Sequence, residues 1–214
     1  MHKVVKVVLK GYREWTESIG DDREWRIQIV QNELEKLASE IAAERNAFYV
    51  PTRKDVLIFI ANNSDVEEWL KPLESVSPVP IEVSSGCGKT PLEALLNPTK
   101  CSKNSNIAAI HFDINFISKK DHYLGYLEVS QTVSLLIHSA LGFGAIGGYL
   151  GGDNVVFFSD PSVANNFASL ISRTYDVKVG IGVAENARKA LELAAKALRM
   201  LRDDRSKRVE ELKG

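Results

Sequence analysis

The sequence is short of the residues that would point to several common protein classes. Among its 214 residues are only two cysteines, Cys87 and Cys101, in no metal-type spacing, so a zinc-type site is not expected. No apolar run approaches the roughly 20 residues needed to span a bilayer, and Met1-His2-Lys3-Val4-Val5 has neither a long apolar core nor a cleavage site. A cytoplasmic protein with no membrane partner is therefore expected. Charge of one sign is lacking too. The formal net charge is −1, with Lys and Arg spread along the chain, so there is no basic footprint for nucleic acid. What is present is ordinary for a soluble globular chain able to bury a core: 44% apolar and 26% charged residues, at a length that admits one large or two small domains.

Periodicity gives the order of elements. Lys3 to Leu9 is β-prone, and Asp22 to Arg45 carries Trp25, Ile29, Leu34, Leu37 and Ile41 at helical spacing. Phe48 to Val50 and Val56 to Ala61 suit a hairpin around Pro51-Thr52-Arg53-Lys54-Asp55. Ser64-Asp65-Val66-Glu67 has the form of a capping box, which predicts a helix stopping near Pro72. Val79 to Val83 is the next strand, and Thr90-Pro91-Leu92-Glu93 is a second capping box with Pro at the first helical position. The second half repeats the order: strand Ile107 to Phe112, helix Tyr123 to Leu141, hairpin Gly148 to Phe158, helix Pro161 to Ser172, strand Val177 to Gly182 and helix Ala184 to Arg202. Strand one precedes the hairpin tip by about forty residues in each half, and Gly86-Cys87-Gly88 falls where Gly180-Ile181-Gly182 falls. The expected fold class is α+β, two tandem ferredoxin-like or palm β-α-β-β-α-β modules packed as a pseudo-dimer. Their bounds are 1–98 and 105–214, with a linker over 97–105. The tail beyond Asp203 reads as a solvated or frayed helix end.

Candidate chemistry gathers at Tyr149-Leu150-Gly151-Gly152-Asp153-Asn154. Two glycines before Asp-Asn are turn chemistry, so a carboxylate is lifted to a hairpin tip where bare backbone admits a phosphate or a phosphate–metal complex. An ordinary tight turn would use the same residues. In a β-α-β-β-α-β unit the end of strand one neighbours that tip, which would bring Asp113 to Asp153. Two carboxylates so placed are satisfied by a hard cation such as Mg²⁺, with the Ile114 carbonyl a further ligand. The competing reading has Asp153 serving the turn and Asp113 paired with a nearby Lys. His111, on the same strand face as Asp113, is a candidate general base or a packing partner. Arg202, near the end of the last helix, is a candidate phosphate ligand. Gly88-Lys89-Thr90 is not the end of a P-loop, since the required Gly falls on Val83.

The stretches Gly11-Tyr12-Arg13-Glu14-Trp15-Thr16-Glu17-Ser18, Pro78-Val79-Pro80-Ile81, Gly88-Lys89-Thr90-Pro91-Leu92-Glu93-Ala94, His111-Phe112-Asp113-Ile114-Asn115, Tyr149 to Asn154 and Lys178-Val179-Gly180-Ile181-Gly182 together resemble the archaeal GTP cyclohydrolase III family. The palm core more broadly resembles nucleotidyl cyclases, diguanylate cyclases and family-B-type polymerases. The resemblance implies two tandem palm-like modules and a Mg²⁺-dependent opening of GTP at C8. It implies a formylamino-pyrimidine nucleotide monophosphate as product, with the β- and γ-phosphates released as inorganic phosphate. It implies Asp113, Ile114 and Asp153 as metal ligands. Asn115, Gly151, Gly152, Asn154, Arg53 and Arg202 would serve the nucleotide, with Asp113, Asp153 and His111 in catalysis. GTP is the expected substrate and a homo-oligomer the expected assembly. Departures fall in the first half, where Lys10 corresponds to Asp113 and the tip reads Arg53-Lys54-Asp55, so that module is expected to hold no metal pair. Lys10, Arg13, Arg53 and Lys54 would face the triphosphate across the module interface or lie solvated. A nucleotidyl cyclase and a degenerate GTP-binding protein remain as alternatives.

Overall fold

The computed structural model describes residues 1–115, 121–204 and 206–214. The first half runs β1 (His2–Leu9), α1 (Tyr12–Ser18), α2 (Arg23–Glu44), β2 (Phe48–Val50), β3 (Val56–Ile60), two 3-10 turns (Val66–Trp69 and Lys71–Ser75), β4 (Ile81–Gly88) and α3 (Pro91–Leu96). The second runs β5 (Ile107–Ile114), α4 (His122–Leu141), β6 (Ile146–Gly151), β7 (Asn154–Ser159), α5 (Pro161–Thr174), β8 (Val177–Ala184), α6 (Ala187–Asp203) and β9 (Val209–Lys213). Each half builds its own sheet, β2-β3-β1-β4 and β6-β7-β5-β8-β9. Within each the first four strands take the same order, second-third-first-fourth, with every neighbour antiparallel. That is the tandem α+β architecture the repeat predicts.

Period-two burial explains the layering. In β1 the residues Val5, Val7 and Leu9 face α2, where Leu34, Ala38 and Ile41 cover them. In β5 the even residues Ala108, Ile110 and Phe112 face α4 and α5, meeting Val129, Val133, Phe167 and Ile171. The opposite faces form a third core shared by the halves: Val4, Ile58 and Ile60 of the first sheet join Ile107, Ala109, Val156 and Phe158 of the second, flanked by Ala94 of α3 and Ala190 and Ala194 of α6. Burial of aliphatic and aromatic side chains on this scale holds the halves together as a pseudo-dimer. A polar link crosses the same seam: buried His2 donates Nε2–H to Asp160 Oδ2 at 2.9 Å while its Nδ1 accepts from Asn62 Nδ2 at 3.2 Å.

The glycine pairs explain why α3 and α6 sit so close to their sheets. A Cβ on Gly180 would lie 2.1 Å from the Ala194 carbonyl oxygen, and one on Gly182 2.0 Å from that of Ala190. The first half repeats the device, a Cβ on Gly88 falling 2.4 Å from the Ala94 nitrogen and one on Gly86 2.1 Å from Pro98 Cβ. Gly88, Gly180 and Gly182 let a helix backbone rest on a strand backbone, while Gly86 chiefly makes room for Pro98 just past the end of α3.

Three expectations are corrected. Ser64-Asp65-Val66-Glu67 opens 3-10 turns and not an α-helix, because Ser64 Oγ bonds the Val66 N–H at 3.1 Å and Glu67 pairs with Lys3 instead of reaching back. The box at Thr90 does cap α3, with Oγ1 accepting from the Glu93 N–H at 3.1 Å. β4 continues to Gly88, beyond the predicted end at Val83. The tail, of which Arg205 lies outside the described residues, is not a frayed helix end: Val209–Lys213 pairs parallel to β8. Finally, α1 was not anticipated, having no buried residue and hence no apolar stripe to betray it. The linker is also tethered, by paired hydrogen bonds between Thr99 and Cys87 and by the Cys87–Cys101 disulfide.

Candidate active site

The hairpin β6–β7 delivers the acidic tip. Gly151 (φ 110°) and Gly152 (φ 61°) take left-handed conformations that make the turn, and the Tyr149 hydroxyl braces it by donating to the Gly152 carbonyl at 2.9 Å. A Cβ on Gly151 would meet no atom within 4 Å, so this glycine is not packed against protein and leaves open space beside the tip.

β5 brings the second acid. Asp113 stands opposite Asn154 in the β5–β7 register, and the Ile114 N–H donates to the Asp153 carbonyl at 2.9 Å. The two acidic residues, forty positions apart in sequence, are therefore neighbours in the folded chain, as the topology predicts. His111 lies two residues back on the same strand face. Its Nε2 stands 2.9 Å from Asn154 Oδ1, and Asn154 Nδ2 donates to Asp153 Oδ1 at 2.7 Å. With the amide oriented by that second bond, its oxygen requires a proton on Nε2, which fixes the neutral tautomer. Burial pushes His111 below the ordinary histidine value, against the Asn154 bond and the Asp113 charge that pull it up. Its Nδ1 is buried and bonds nothing among the described residues. The ring is thus committed to Asn154, and its other nitrogen is shut away from open space.

Among the described residues Asp113 is paired with an arginine and with no lysine. Its Oδ2 accepts from Arg202 Nη2 at 3.4 Å, across a contact in which the Asp113 side chain is 15% exposed and that of Arg202 66%. Lys178, its neighbour on β8, donates instead to the Leu201 carbonyl at 3.2 Å. Arg202 therefore sits within reach of the acid and not apart from it as a lone phosphate ligand. Asn115, predicted on the nucleotide, donates its N–H to the Asp176 carbonyl at 3.0 Å.

The first half lacks a matching site. Counted from the tip, Val8 faces Val56 as Asp113 faces Asn154, so Val8 and not Lys10 stands in the register of Asp113. Lys10 lies two residues further on the same face and pairs with Glu82. Asp55 occupies the place of Asp153, yet it is held by Arg53 through Nε at 2.9 Å and Nη2 at 2.8 Å. Lys54 pairs with Glu35, and Arg13 with Glu17 at 3.0 Å. Each of these cations already has an acidic partner.

A cleft of about 850 Å³, which sequence reasoning missed, opens between the halves beside the tip. Tyr149, Leu150 and Gly151 form one wall, Tyr49, Pro51 and Lys54 another, with Glu35 of α2 and Arg188 of α6 at its sides. Edge strands β2 and β6 meet at its base, where a Cβ on Gly148 would approach the Pro51 carbonyl to 2.6 Å. No local motif marks this cleft, because it is made by two modules meeting.

Comparison with known proteins agrees with this architecture. The GTP cyclohydrolase III family pattern matches the chain twice, over residues 4–110 and 96–213. Proteins named GTP cyclohydrolase III align over nearly all of both partners. That of Saccharolobus islandicus (strain M.16.27) is 36% identical over 222 positions, covering 96% of each chain. That of Sulfurisphaera tokodaii is 35% identical over 221 positions, covering 97% of each. A solved bacterial light-regulated adenylyl cyclase superposes over 99% of this chain and 85% of its own, with a TM-score of 0.37 and 9% identity, too distant to bear on the site.

Proposed function

The chain belongs to the GTP cyclohydrolase III family, and we propose from that premise that it hydrolyses GTP by opening the imidazole ring at C8, using the tip of the β6–β7 hairpin. The observation that carries this reading is the hydrogen-bonded run from His111 through Asn154 to Asp153, with Asp113 alongside on the neighbouring strand.

The donor set suits Mg²⁺, which takes one or two carboxylates and leaves its other positions to water and substrate phosphate. Asp113 and Asp153 would hold the ion, with the Ile114 carbonyl as a further ligand. Among the described residues no three His, Cys, Asp or Glu side chains gather into a metal cage. When bound, such an ion polarises phosphoryl oxygens and makes hydroxide available near neutral pH.

The chain's own groups have distinct tasks. Asn154 orients the Asp153 carboxylate by donating to Oδ1, and neutral His111 fixes the Asn154 amide; His111 is thereby a positioning residue and not a proton acceptor toward substrate. Arg202 balances the charge of Asp113 until a cation competes for it. Gly151 and Gly152 let a polyphosphate lie against bare backbone, and the cleft beside them receives the nucleoside. Arg53 is tied to Asp55 and would have to leave that pair to reach the nucleotide.

Incubation with GTP and Mg²⁺ tests the reading. Loss of purine ultraviolet absorbance together with release of inorganic phosphate is expected. Retention of the purine spectrum with release of pyrophosphate would assign a cyclase instead. Neither change, accompanied by thermal stabilisation on adding GTP, would leave only binding.

A further inference from the structure

The first module has no metal pair to offer, yet it supplies one wall of the cleft beside the hairpin tip. Among the described residues lining that cleft two are acidic, Glu35 of α2 and Glu192 of α6. Glu192 is gripped by Lys189 at 3.1 and 3.0 Å and its side chain is 66% exposed, so a cation and solvent both screen it. Glu35 is the opposite case, with a side chain only 21% exposed. Its Oε1 accepts from the Tyr49 hydroxyl at 2.9 Å, and its Oε2 pairs with Lys54 of the β2–β3 hairpin. Burial raises Tyr49 above the usual phenol value and the Glu35 charge adds to it, so the hydroxyl stays a donor and Glu35 its acceptor.

A carboxylate has about four lone-pair positions. Among the described residues Tyr49 occupies one on Oε1 and Lys54 one on Oε2, which leaves each oxygen a further position toward the cleft. The order along this edge is donor, acceptor, acceptor: Lys54 Nζ, Glu35 Oε2, Glu35 Oε1. The Watson–Crick edge of guanine has the complementary order, with O6 accepting and N1–H and the 2-amino group donating. Adenine would turn a donor toward Lys54 and a nitrogen lone pair toward the carboxylate. Across the cleft Tyr149 and Leu150 offer an apolar surface to a purine face. Gly151 lines the same space of about 850 Å³, so a base at Glu35 and phosphates at the tip share one continuous cleft.

We propose, resting on GTP as the substrate, that Glu35 is the specificity-determining residue of the site, accepting from guanine N1–H and the 2-amino group while Lys54 meets O6. The modules then divide the nucleotide between them: the second holds metal and phosphates, and the first reads the base. The degenerate tip of the first module keeps its place in the enzyme for that reason, since Lys54 belongs to it.

Steady-state constants of the full chain with Mg²⁺ and GTP, inosine triphosphate or xanthosine triphosphate test the assignment. Inosine lacks the 2-amino group, and xanthosine carries a carbonyl in its place. The wild type is expected to favour GTP over the inosine nucleotide by about ten- to a hundredfold in kcat/KM, the worth of one hydrogen bond to a charged acceptor, and to reject the xanthosine nucleotide more strongly. Glu35→Gln should raise KM for GTP, erase its advantage over the inosine nucleotide and improve use of the xanthosine nucleotide, whose carbonyl the new amide N–H can meet. Glu33→Gln, an exposed change on the same helix, should leave the preferences as they were. A Glu35→Gln enzyme that is less stable yet keeps the wild-type preference overturns the assignment, making Glu35 only a structural partner of Tyr49 and Lys54, and leaves the GTP reading standing. A wild type that uses the inosine nucleotide as well as GTP overturns it without any variant. A wild type that converts none of the three overturns the GTP reading and the assignment together. Should Glu35→Gln fail to fold, Lys54→Met serves: GTP and the inosine nucleotide share O6, so both should weaken by about tenfold with their ratio kept, and an unaltered KM overturns the pairing with O6.

Discussion

Replacing Gly180 with Ala is a sharp test of how the site is held, because Gly180 faces His111 across β5–β8 on one side and carries α6 on the other. The added Cβ would stand 2.1 Å from the Ala194 carbonyl oxygen, 2.8 Å from the Leu198 nitrogen and 2.9 Å from Leu198 Cγ. Two of the three are helix backbone and cannot rotate away. To reach ordinary contact at 3.4 Å, α6 must withdraw by about 1.3 Å, the difference between 3.4 and 2.1. A gap of that width under Ala190, Ala194, Leu198 and Leu201 forfeits about half or more of their dispersion contact with the sheet. Overpacking of this kind costs about 1–3 kcal/mol. Gly-to-Ala restricts the unfolded chain and returns about 0.4–1 kcal/mol, so a net loss centred near about 1.3 kcal/mol, from the mid-values of the two ranges, is expected, readable as a lower urea midpoint at unchanged slope. Since α6 also carries Arg202 to Asp113, turnover should fall in the same variant. Gly151→Ala is the contrast: with no atom within 4 Å of its Cβ, it strains only the turn. A Gly180→Ala protein as stable as the wild type would refute the close-approach account.

Other expectations follow from the buried histidines, the junction residue and the disulfide. Burial lowers both His2 and His111 below the ordinary value of about 6.5. The unfolded chain therefore takes up protons that the folded one refuses, and stability present above that pH declines as pH falls toward the folded values. Urea midpoints measured from about pH 8 down to about pH 5.5 should drop, and His111→Gln should flatten the slope; a midpoint that rises on acidification would contradict this. Asn154→Ala strips His111 of its acceptor and Asp153 of its donor, with an expected loss of about 1–3 kcal/mol and a larger fall in turnover than in stability, checked by paired unfolding and activity curves. Cys101→Ser opens a loop closed at a separation of 14 residues. It should cost about 3 kcal/mol by chain entropy, and an unchanged melting temperature would show that the disulfide adds nothing.

The sequence made the order of elements legible because most signals are local: Asp160 capping α5, Thr90 capping α3 and the Gly151-Gly152 turn all behave as their residue types dictate. What it concealed is non-local. β9 is five residues with three charges, and only pairing with distant β8 makes it a strand. β4 runs through Ser84-Ser85-Gly86-Cys87-Gly88, poor β-formers kept in the sheet because α3 needs the missing side chains. Trp25 and Ile29 fit the helical spacing of α2 yet lie 72% and 58% exposed, outside the cluster in which Leu34, Ala38 and Ile41 of the same helix are buried. At the site, the meeting of Asp113 and Asp153 was readable from topology. The pairing of Arg202 with Asp113 and the cleft beside Tyr149 were not, for each depends on where a helix or a second module docks.

The most direct measurement is the turnover of Asp153→Asn beside the wild type, with GTP and Mg²⁺, following purine absorbance and inorganic phosphate together. The substitution keeps an oxygen to accept from Asn154 and removes only the charge, so unfolding curves should coincide. Ring opening is expected to fall by more than about a hundredfold, beyond what loss of an outer-shell partner to a metal ligand costs. Wild-type rates in that variant would remove the paired acids from the chemistry.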